Sequence, residues 1–314
     1  MFEWLITRPM GYIIQFIYNL VSNYGLAIIL FTIIIKLILL PLNVKSQKSM
    51  KKTQKIQPIL AELQEKYAND KEKLQRETMK LYKENNVSMT GGCLPMLIQL
   101  PILIGLYQVI QKPLTYILNI DWSTAADEVI RLRDAMVGMG QNIGNLASAG
   151  VDTIQSTGQI QLSNWAGIVG GGTHPWGINF NFLGLNLSYA PSEGLTELMN
   201  GNFANISIIL LLLIPVLAVA ASFASMKISQ IQSGQNNNSQ ANQSAKVMTF
   251  IGPVMTLIFT FTLPAGLGLY WIISSAVQIV QQIALNYYLD RKKGDDFVVK
   301  IPEKKHNHGK KRKK

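Results

Sequence analysis

Apolar residues in this sequence occur in long uninterrupted blocks instead of alternating with polar ones. A helix needs about 20 such residues to cross roughly 30 Å of hydrocarbon. Four stretches meet or approach that length: Leu26 to Leu42, Leu94 to Ile110, Ile206 to Met226, and Val247 to Leu289. The last is too long for one crossing and is interrupted at Pro264, Gly266 and Gly268, which predicts two helices joined by a tight turn at residues 263–266.

The predicted fold is therefore all-α: a polytopic membrane protein with five transmembrane helices, a cytoplasmic antiparallel helical hairpin, and an N-terminal amphipathic helix on the outer surface. The predicted segments are 1–23 (surface helix), 24–42 (first span), 43–92 (hairpin), 93–112 (second span), 113–205 (outer loop), 206–227 (third span), 228–245 (linker), 246–263 (fourth span), 266–289 (fifth span) and 290–314 (basic tail).

The N-terminal segment combines an apolar stripe with polar residues on the opposite side. The stripe contains Met10, Ile13, Ile14, Ile17, Leu20 and Val21, and Gln15, Asn19 and Ser22 lie opposite. This spacing predicts an amphipathic helix on the membrane surface. A signal peptide is the alternative, but the segment has neither a basic region before the apolar stretch nor a small-residue cleavage site after it.

The segment between the first two spans is highly charged and also has helical periodicity. Its apolar stripe begins at Ile56 and resumes at Leu74, and Asn69-Asp70 is typical of a turn between two arms. The pattern predicts a helical hairpin with Pro58 close to the start of its first arm. It is either a solvated spacer or a contact surface for a client or a targeting factor.

The loop at 113–205 carries no recognisable chemistry. Ala125 to Met139 is predicted to be helical, and Gly167 to Gly177 is rich in glycine and predicted to be irregular. The mixture of aromatic, aliphatic and asparagine residues between Ile178 and Tyr189 predicts a segment lying against the bilayer surface.

Composition agrees with a membrane protein, and the charges suggest its orientation. Hydrophobic residues make up 48% of the chain and charged residues 15%, and the mean hydropathy is +0.18. Eleven Lys and Arg residues lie at 43–90 and eleven at 290–314, against two at 113–205. By the positive-inside rule, the hairpin and the C-terminus are cytoplasmic and the N-terminus is outside.

Lys36 lies within the first predicted span. A lysine at the centre of a span costs about 2.5 to 3.5 kcal/mol on insertion scales, which suggests a functional role. The alternative is snorkelling, because Lys36 is only about six residues, roughly 9 Å, from the cytoplasmic end of the span. Thr32 lies one turn away on the same face.

Other polar residues interrupt the second and fifth spans: Gln99 in the second, and Ser274, Ser275, Gln278, Gln281 and Gln282 in the fifth. Individually, such residues commonly hold helices together at about 0.6 to 2 kcal/mol each. If they meet Lys36 and Thr32, they line a hydrated cavity within the membrane.

The sequence offers no constellation for catalysis or nucleotide hydrolysis. The three histidines lie outside the predicted spans, no Asp or Glu lies within one, and there is no phosphate-binding loop. We therefore predict a protein that is not an enzyme and has no cofactor or metal. The single cysteine, Cys93, is read as a reduced packing residue, with palmitoylation as the alternative.

Several stretches resemble the YidC/Oxa1/Alb3 family of membrane protein insertases, in particular the short Gram-positive type of bacterial YidC. They are Pro58 to Tyr67, Leu81 to Glu84, Gly91 to Ile102 and Leu263 to Trp271, in the family's order and with its spacing to the spans. The resemblance covers roughly residues 20–112 and 178–290.

The resemblance implies a plasma-membrane insertase that admits client segments through a hydrophilic groove open to the cytoplasm and to lipid. Lys36 matches the positive residue of that groove, where many members have arginine, and lysine lacks arginine's planar fork. Thr32 and Gln99 match further groove positions, and Trp271 matches the aromatic residue of the fifth span. We add Gln278 and Gln282 to this client-binding groove.

The implied partners are nascent membrane proteins and the lipid bilayer. Further candidates are a targeting receptor at the hairpin, the Sec translocon, and ribosomal RNA at the basic tail, which ends in Lys310, Lys311, Arg312, Lys313 and Lys314. The tail is alternatively a topology determinant or a contact for anionic lipid. Two other functions stay open: a solute transporter or channel using Lys36, and a scaffold acting through the hairpin.

Overall fold

Helices account for nearly all of the regular structure, as the apolar blocks predict. The structure is a computed structural model that describes residues 2–87, 94–141, 143–201, 203, 206–233 and 242–291. The helices are α1 (Arg8–Val21), which follows a π-helical turn at Glu3–Thr7, α2 (Tyr24–Ile38), α3 (Leu40–Lys66), α4 (Lys71–Glu84), α5 (Leu94–Gln111), α6 (Pro113–Tyr116), α7 (Ala126–Gly138), α8 (Val151–Thr157), α9 (Gln159–Val169), α10 (Pro191–Met199), α11 (Ile206–Leu210), α12 (Leu213–Ser233), α13 (Asn242–Thr262) and α14 (Ala265–Arg291). Within these residues, strands β1 (Asn181–Phe182) and β2 (Leu185–Asn186) form one antiparallel pair, and a 3-10 turn spans Gly144–Ser148. The all-α prediction is confirmed at this level.

Two stretches of the described chain are long and apolar enough to cross a membrane. They are Ile206–Ile231, which includes α11 and most of α12, and Ala265–Leu289 in α14. A third is obtained if α2 and α3, which are bent by 58° relative to each other, count as one broken span. The bend lies at Leu39, just before a proline at the start of α3, where a missing backbone N–H costs no helical hydrogen bond. The arrangement of five spans stays a prediction.

The turn between α13 and α14 lies where the sequence places it. Helix α13 ends at Thr262 and α14 begins at Ala265. Gly268 then brings α14 close to α12, because a Cβ at this position would collide with the side chain of Ile214. Small residues allow this kind of close helix approach in membranes.

The expectation that residues 178–189 lie against the bilayer surface is wrong for Ile178, Phe180 and Leu187, whereas Leu183 is exposed. Ile178, Phe180 and Leu187 are buried in the main core, and the Phe180 ring packs edge-on against Tyr24 with the ring centroids 4.9 Å apart. The segment also satisfies helix N-termini: the Asn179 carbonyl accepts from the Tyr24 amide at 3.0 Å, and the Leu187 carbonyl accepts from an amide in the first turn of α14 at 3.1 Å. Backbone N–H groups at helix starts need such partners, which periodicity does not show.

Helix α1 packs against α2 and α5. Met10, Ile14 and Ile17 from its predicted apolar stripe are buried in the core, whereas Leu20 is 70% exposed. A second apolar face of the helix is also exposed, and includes Trp4, Leu5, Tyr12 and Phe16. The helix is amphipathic as predicted, and most of the predicted stripe packs on protein. Its place on the outer surface of the membrane stays a prediction.

Helices α3 and α4 pack together around Ile56, Leu81 and Val87, all buried. Asp70 begins α4 by accepting a hydrogen bond from the amide of Lys73 at 2.9 Å, so the turn at Asn69-Asp70 forms as expected. The prediction that Pro58 lies close to the start of the first arm is wrong. Helix α3 starts at Leu40, directly after α2, so Pro58 lies inside the helix.

The segment between α5 and α11 contains a hydrophobic cluster of its own. Its buried members include Leu114, Val129, Leu132, Ile154, Leu162 and Trp165. Helix α7 matches the helix predicted at Ala125 to Met139. The predicted loop is therefore partly a small packed helical unit.

Candidate functional site: a polar face between α2, α3 and α14

Lys36 is buried in the described structure, with a residue exposure of 6%. It lies near the C-terminal end of α2, and its Nζ is 3.5 Å from the Gln278 Oε1 of α14. This distance is at the long limit for a hydrogen bond, so the amide only weakly compensates a buried ammonium.

The contact continues along α14 as a ladder of polar groups. The Gln281 side chain donates to the backbone carbonyl of Lys36 at 3.0 Å and accepts from Asn43 at 3.2 Å. Further along, the Lys51 Nζ donates to the Asn286 carbonyl at 3.4 Å. Positions 278 and 281 lie one turn apart on α14 and contact α2, and position 286 contacts α3 through its backbone carbonyl.

The charge of Lys36 has no acidic partner from the predicted spans, since none of them contains Asp or Glu. A buried cation without a counter-ion is unfavourable, and an anionic group that approaches it is stabilised. The electrostatics of this polar face therefore favour an acidic ligand.

Two other predicted groove residues, Thr32 and Gln282, are buried, and each lies within a turn or so of Lys36 or Gln281 in the chain. Thr32 is 1% exposed and donates its hydroxyl to the Ile28 carbonyl of its own helix at 2.7 Å, so its polarity is satisfied locally. Gln282 is 5% exposed, and within the described residues its Oε1 accepts no hydrogen bond. An unsatisfied buried carbonyl costs about 1 to 3 kcal/mol, which makes it an available acceptor.

The contacts of Gln99 and Trp271 lie elsewhere on α14. The Gln99 side chain donates to the hydroxyl of buried Tyr270, linking α5 to α14. Trp271 stacks on Phe259 of α13, with ring centroids 6.2 Å apart. The described contacts therefore join Gln278 to Lys36, while Gln99 pairs with Tyr270. Tyr270 lies within the stretch Leu263 to Trp271 and has no predicted role, although a tyrosine within a span is a polar signal.

The basic residues Lys310 to Lys314 lie outside the described residues, as does Cys93.

A second polar cluster, missed by sequence reasoning, connects α7 to the turn before β1. Arg131 donates twice to the Glu128 carboxylate, at 2.6 and 2.8 Å. The His174 Nδ1 accepts from the Trp176 amide at 3.1 Å, so its Nε2 carries the proton and donates to Glu128 at 2.6 Å. The hydrogen bonds from Arg131, and then from His174, lower the pKa of the Glu128 carboxyl. The i, i+3 spacing of Glu128 and Arg131 was visible in the sequence, but the distant histidine was not.

Over the described part of the chain, no group of three or more His, Cys, Asp and Glu side chains is placed to hold a metal ion.

The sequence profile of the 60Kd inner membrane protein family matches residues 16–293. The chain is similar to "Membrane protein insertase YidC" of Fusobacterium nucleatum subsp. nucleatum, with 30% identity over 274 residues, which are 87% of this chain and 89% of that protein. It is also similar to "Membrane protein insertase YidC 2" of Listeria innocua serovar 6a, with 29% identity over 286 residues, which are 90% and 70% of the two chains.

A shorter match reaches higher identity. Over 105 residues, 33% of this chain, it is 52% identical to "Membrane protein insertase YidC" of Nitratidesulfovibrio vulgaris strain DP4, and this match spans only 20% of that protein. Because the family profile extends over most of the sequence, the chain belongs to the 60Kd inner membrane protein family, the YidC/Oxa1 family.

Proposed function

We propose that this protein is a membrane protein insertase, which moves hydrophobic segments of client proteins from the cytoplasm into the lipid bilayer. The observation that carries the proposal is buried Lys36, which has a weak amide contact and no acidic partner from the predicted spans. Family membership and the names of the relatives add support.

The working surface is a hydrophilic groove that includes Lys36, Thr32, Gln99, Trp271, Gln278 and Gln282. An acidic client tail enters it from the cytoplasm because the ammonium of Lys36 attracts its charge in a medium of low dielectric. Gln278 and Gln282 offer amide groups to the polar client backbone, so the tail avoids direct contact with hydrocarbon.

The client's apolar segment then leaves the groove sideways into lipid. Partitioning supplies roughly 25 cal/mol per Å² of apolar surface that is removed from water, so the step needs no nucleotide hydrolysis and no cofactor. The membrane potential assists an acidic tail leaving a negative cytoplasm by about 2.3 kcal/mol per charge per 100 mV. In this role the protein is not an enzyme.

The proposed topology has five spans in the bacterial plasma membrane, with the N-terminus outside and the C-terminus cytoplasmic. The two clusters of eleven basic residues support this orientation. On the cytoplasmic side, the α3–α4 hairpin is available to a targeting receptor, and the tail at 310–314 to ribosomal RNA or lipid. The Sec translocon is a further proposed partner.

The test is insertion of a single-span client with an acidic N-terminal tail into vesicles that contain the full-length protein. Wild type is compared with Lys36→Ala, Lys36→Arg and the control Lys227→Ala, which removes an exposed lysine from α12. We expect the alanine variant to lose insertion of this client, and the arginine variant and the control to retain it.

The same assay with a neutral client tail tests whether Lys36 acts by attracting acidic groups or only by keeping the protein folded. If it attracts acidic groups, Lys36→Ala should reduce insertion of the neutral client much less. Equal insertion by wild type and Lys36→Ala on both clients would remove the basis of the proposal.

A further inference from the structure

A cleft with a volume of about 60 Å³ lies between α1 and the region around α6, apart from the polar face of Lys36. It is lined by Arg8, Tyr12, Gln15, Thr115, Tyr116 and Asn119. Five of the six residues are neutral polar or aromatic, and the sixth is a cation. A single small polar group fits this space and composition.

Arg8 is held in position but keeps hydrogen-bonding capacity. Its guanidinium carbon lies over the Trp4 ring, 4.1 Å from the centroid, a cation–π contact that helps to hold the side chain. Its Nε is 3.7 Å from the Glu3 carboxylate, which is an ion pair beyond hydrogen-bond range. The guanidinium carries five N–H donors, and their fork geometry suits phosphate and carboxylate oxygens.

Thr115 also lines the cleft, and its hydroxyl keeps a proton that can donate. Its Oγ1 already accepts hydrogen bonds from Trp122 Nε1 at 2.9 Å and from Gln159 Nε2 at 2.8 Å. Both lone pairs are therefore used, and the hydroxyl proton is left to donate. Arg8 and Thr115 therefore give the cleft lining two side chains that can donate hydrogen bonds to an oxyanion.

Glu3 limits the charge of that anion. The Tyr116 hydroxyl, which belongs to the cleft lining, donates to the Glu3 carboxylate at 3.2 Å and so keeps a negative charge beside Arg8. This carboxylate repels a dianion about twice as strongly as a group with one negative charge, so it favours the less charged ligand. A phosphodiester has one negative charge.

An exposed apolar stripe of α1 borders the cleft. Tyr12, Phe16 and Leu20 are 59, 66 and 70% exposed and repeat at helical spacing on one side of the helix, and Leu5, in the π-helical turn before α1, is 69% exposed. Three cleft residues, Arg8, Tyr12 and Gln15, lie on α1, and Tyr12 also belongs to the apolar stripe. A ligand with an anionic head and an apolar chain can therefore occupy both surfaces at once.

We propose that this cleft binds the phosphodiester of one glycerophospholipid, with an acyl chain lying along the apolar stripe of α1. Arg8 and Thr115 donate to the phosphate oxygens, and Phe16 and Leu20 contact the chain. Free phosphate could make the same hydrogen bonds as the phosphodiester of the lipid headgroup, but the adjoining apolar stripe favours the lipid. This binding is independent of the proposed insertase activity.

The experiment is native mass spectrometry of the full-length protein in detergent, titrated with dihexanoyl phosphatidylglycerol. Besides wild type, the variants are Arg8→Gln, which removes the charge; Gln15→Trp, which fills the cleft and keeps the charge; and Phe16→Ser, which interrupts the stripe. Arg76→Gln is the control, because Arg76 lies in α4 with a side chain that is 74% exposed. Thermal unfolding of each variant checks that it is folded.

We expect saturable binding to wild type and Arg76→Gln, and a loss of affinity of about tenfold in Arg8→Gln and Gln15→Trp. Phe16→Ser should weaken lipid binding, and inorganic phosphate or glycerophosphate should compete poorly. Unchanged binding by folded Arg8→Gln and Gln15→Trp would overturn the site. Equally tight competition by inorganic phosphate would overturn its assignment to a lipid.

Discussion

Replacing Lys36 with methionine should make this protein more stable and less active. Methionine has nearly the same length and keeps the buried volume, but it removes the charge. A lysine at the centre of a span costs about 2.5 to 3.5 kcal/mol on insertion scales, and Lys36 lies closer to one end, so we take about 2 to 3 kcal/mol as the penalty that is removed.

Two losses reduce this gain. The contact between Lys36 and Gln278, at 3.5 Å, is too long to contribute more than about 1 kcal/mol. The same substitution also leaves the Gln278 amide oxygen without this partner. We therefore expect the free energy of unfolding of Lys36→Met to rise by about 1 kcal/mol.

The measurement is reversible unfolding in mixed micelles by titration with sodium dodecyl sulfate, followed by far-ultraviolet circular dichroism. Lys227→Met is the matched control, since this lysine is exposed in α12 and its replacement should change stability by less than about 0.5 kcal/mol. A decrease of more than about 1 kcal/mol in Lys36→Met would show that the ammonium stabilises the fold, and would refute the reasoning from an uncompensated buried charge.

Three further substitutions test other parts of the fold. Gly268→Val should lower the free energy of unfolding by about 1 to 3 kcal/mol, measured by the same titration, because the new side chain collides with Ile214; unchanged stability would contradict the close approach of α12 and α14. Pro58→Ala should stabilise the α3–α4 region, because alanine restores a backbone donor inside α3. Hydrogen exchange should show a higher thermal unfolding midpoint for this region. Glu128→Gln should lower stability near neutral pH, since the folded protein holds the Glu128 pKa below its unfolded value. That difference from wild type should shrink as the pH falls below the ordinary glutamate pKa of about 4.3. A constant difference in thermal midpoint across this range would argue against the hydrogen bonds from Arg131 and His174 that stabilise the Glu128 carboxylate.

The helical elements could be predicted well because their signals are local. Runs of apolar residues, the proline and glycines near residue 264, and the turn at Asn69-Asp70 each act over a few positions. Helix α7 and the α13–α14 turn were placed correctly for this reason. The prediction that Pro58 lies near a helix start is wrong, because one proline does not reveal that the helix already extends from Leu40.

The surface against which each helix or loop packs is harder to predict than the position of the helices. The stripe of α1 was recognised, but periodicity alone does not distinguish a face that packs on protein from one that packs on lipid. Residues 178–189 look like an interfacial segment, yet Phe180 and Leu187 are in the core, because the segment supplies carbonyls to the starts of α2 and α14. These contacts join positions that are more than 70 residues apart.

The sequence by itself determined that this chain is helical, that it belongs in a membrane and which family it resembles, because hydrophobic length, turn residues and ordered motifs are all local. It also singled out Lys36, since a charge within an apolar block is visible without a structure. Only the tertiary structure decided that Lys36 meets Gln278, that Gln99 meets Tyr270, and that Glu128 meets His174. Those pairings depend on how helices and loops pack in three dimensions, and no local pattern encodes the distance between residues that are far apart in the chain.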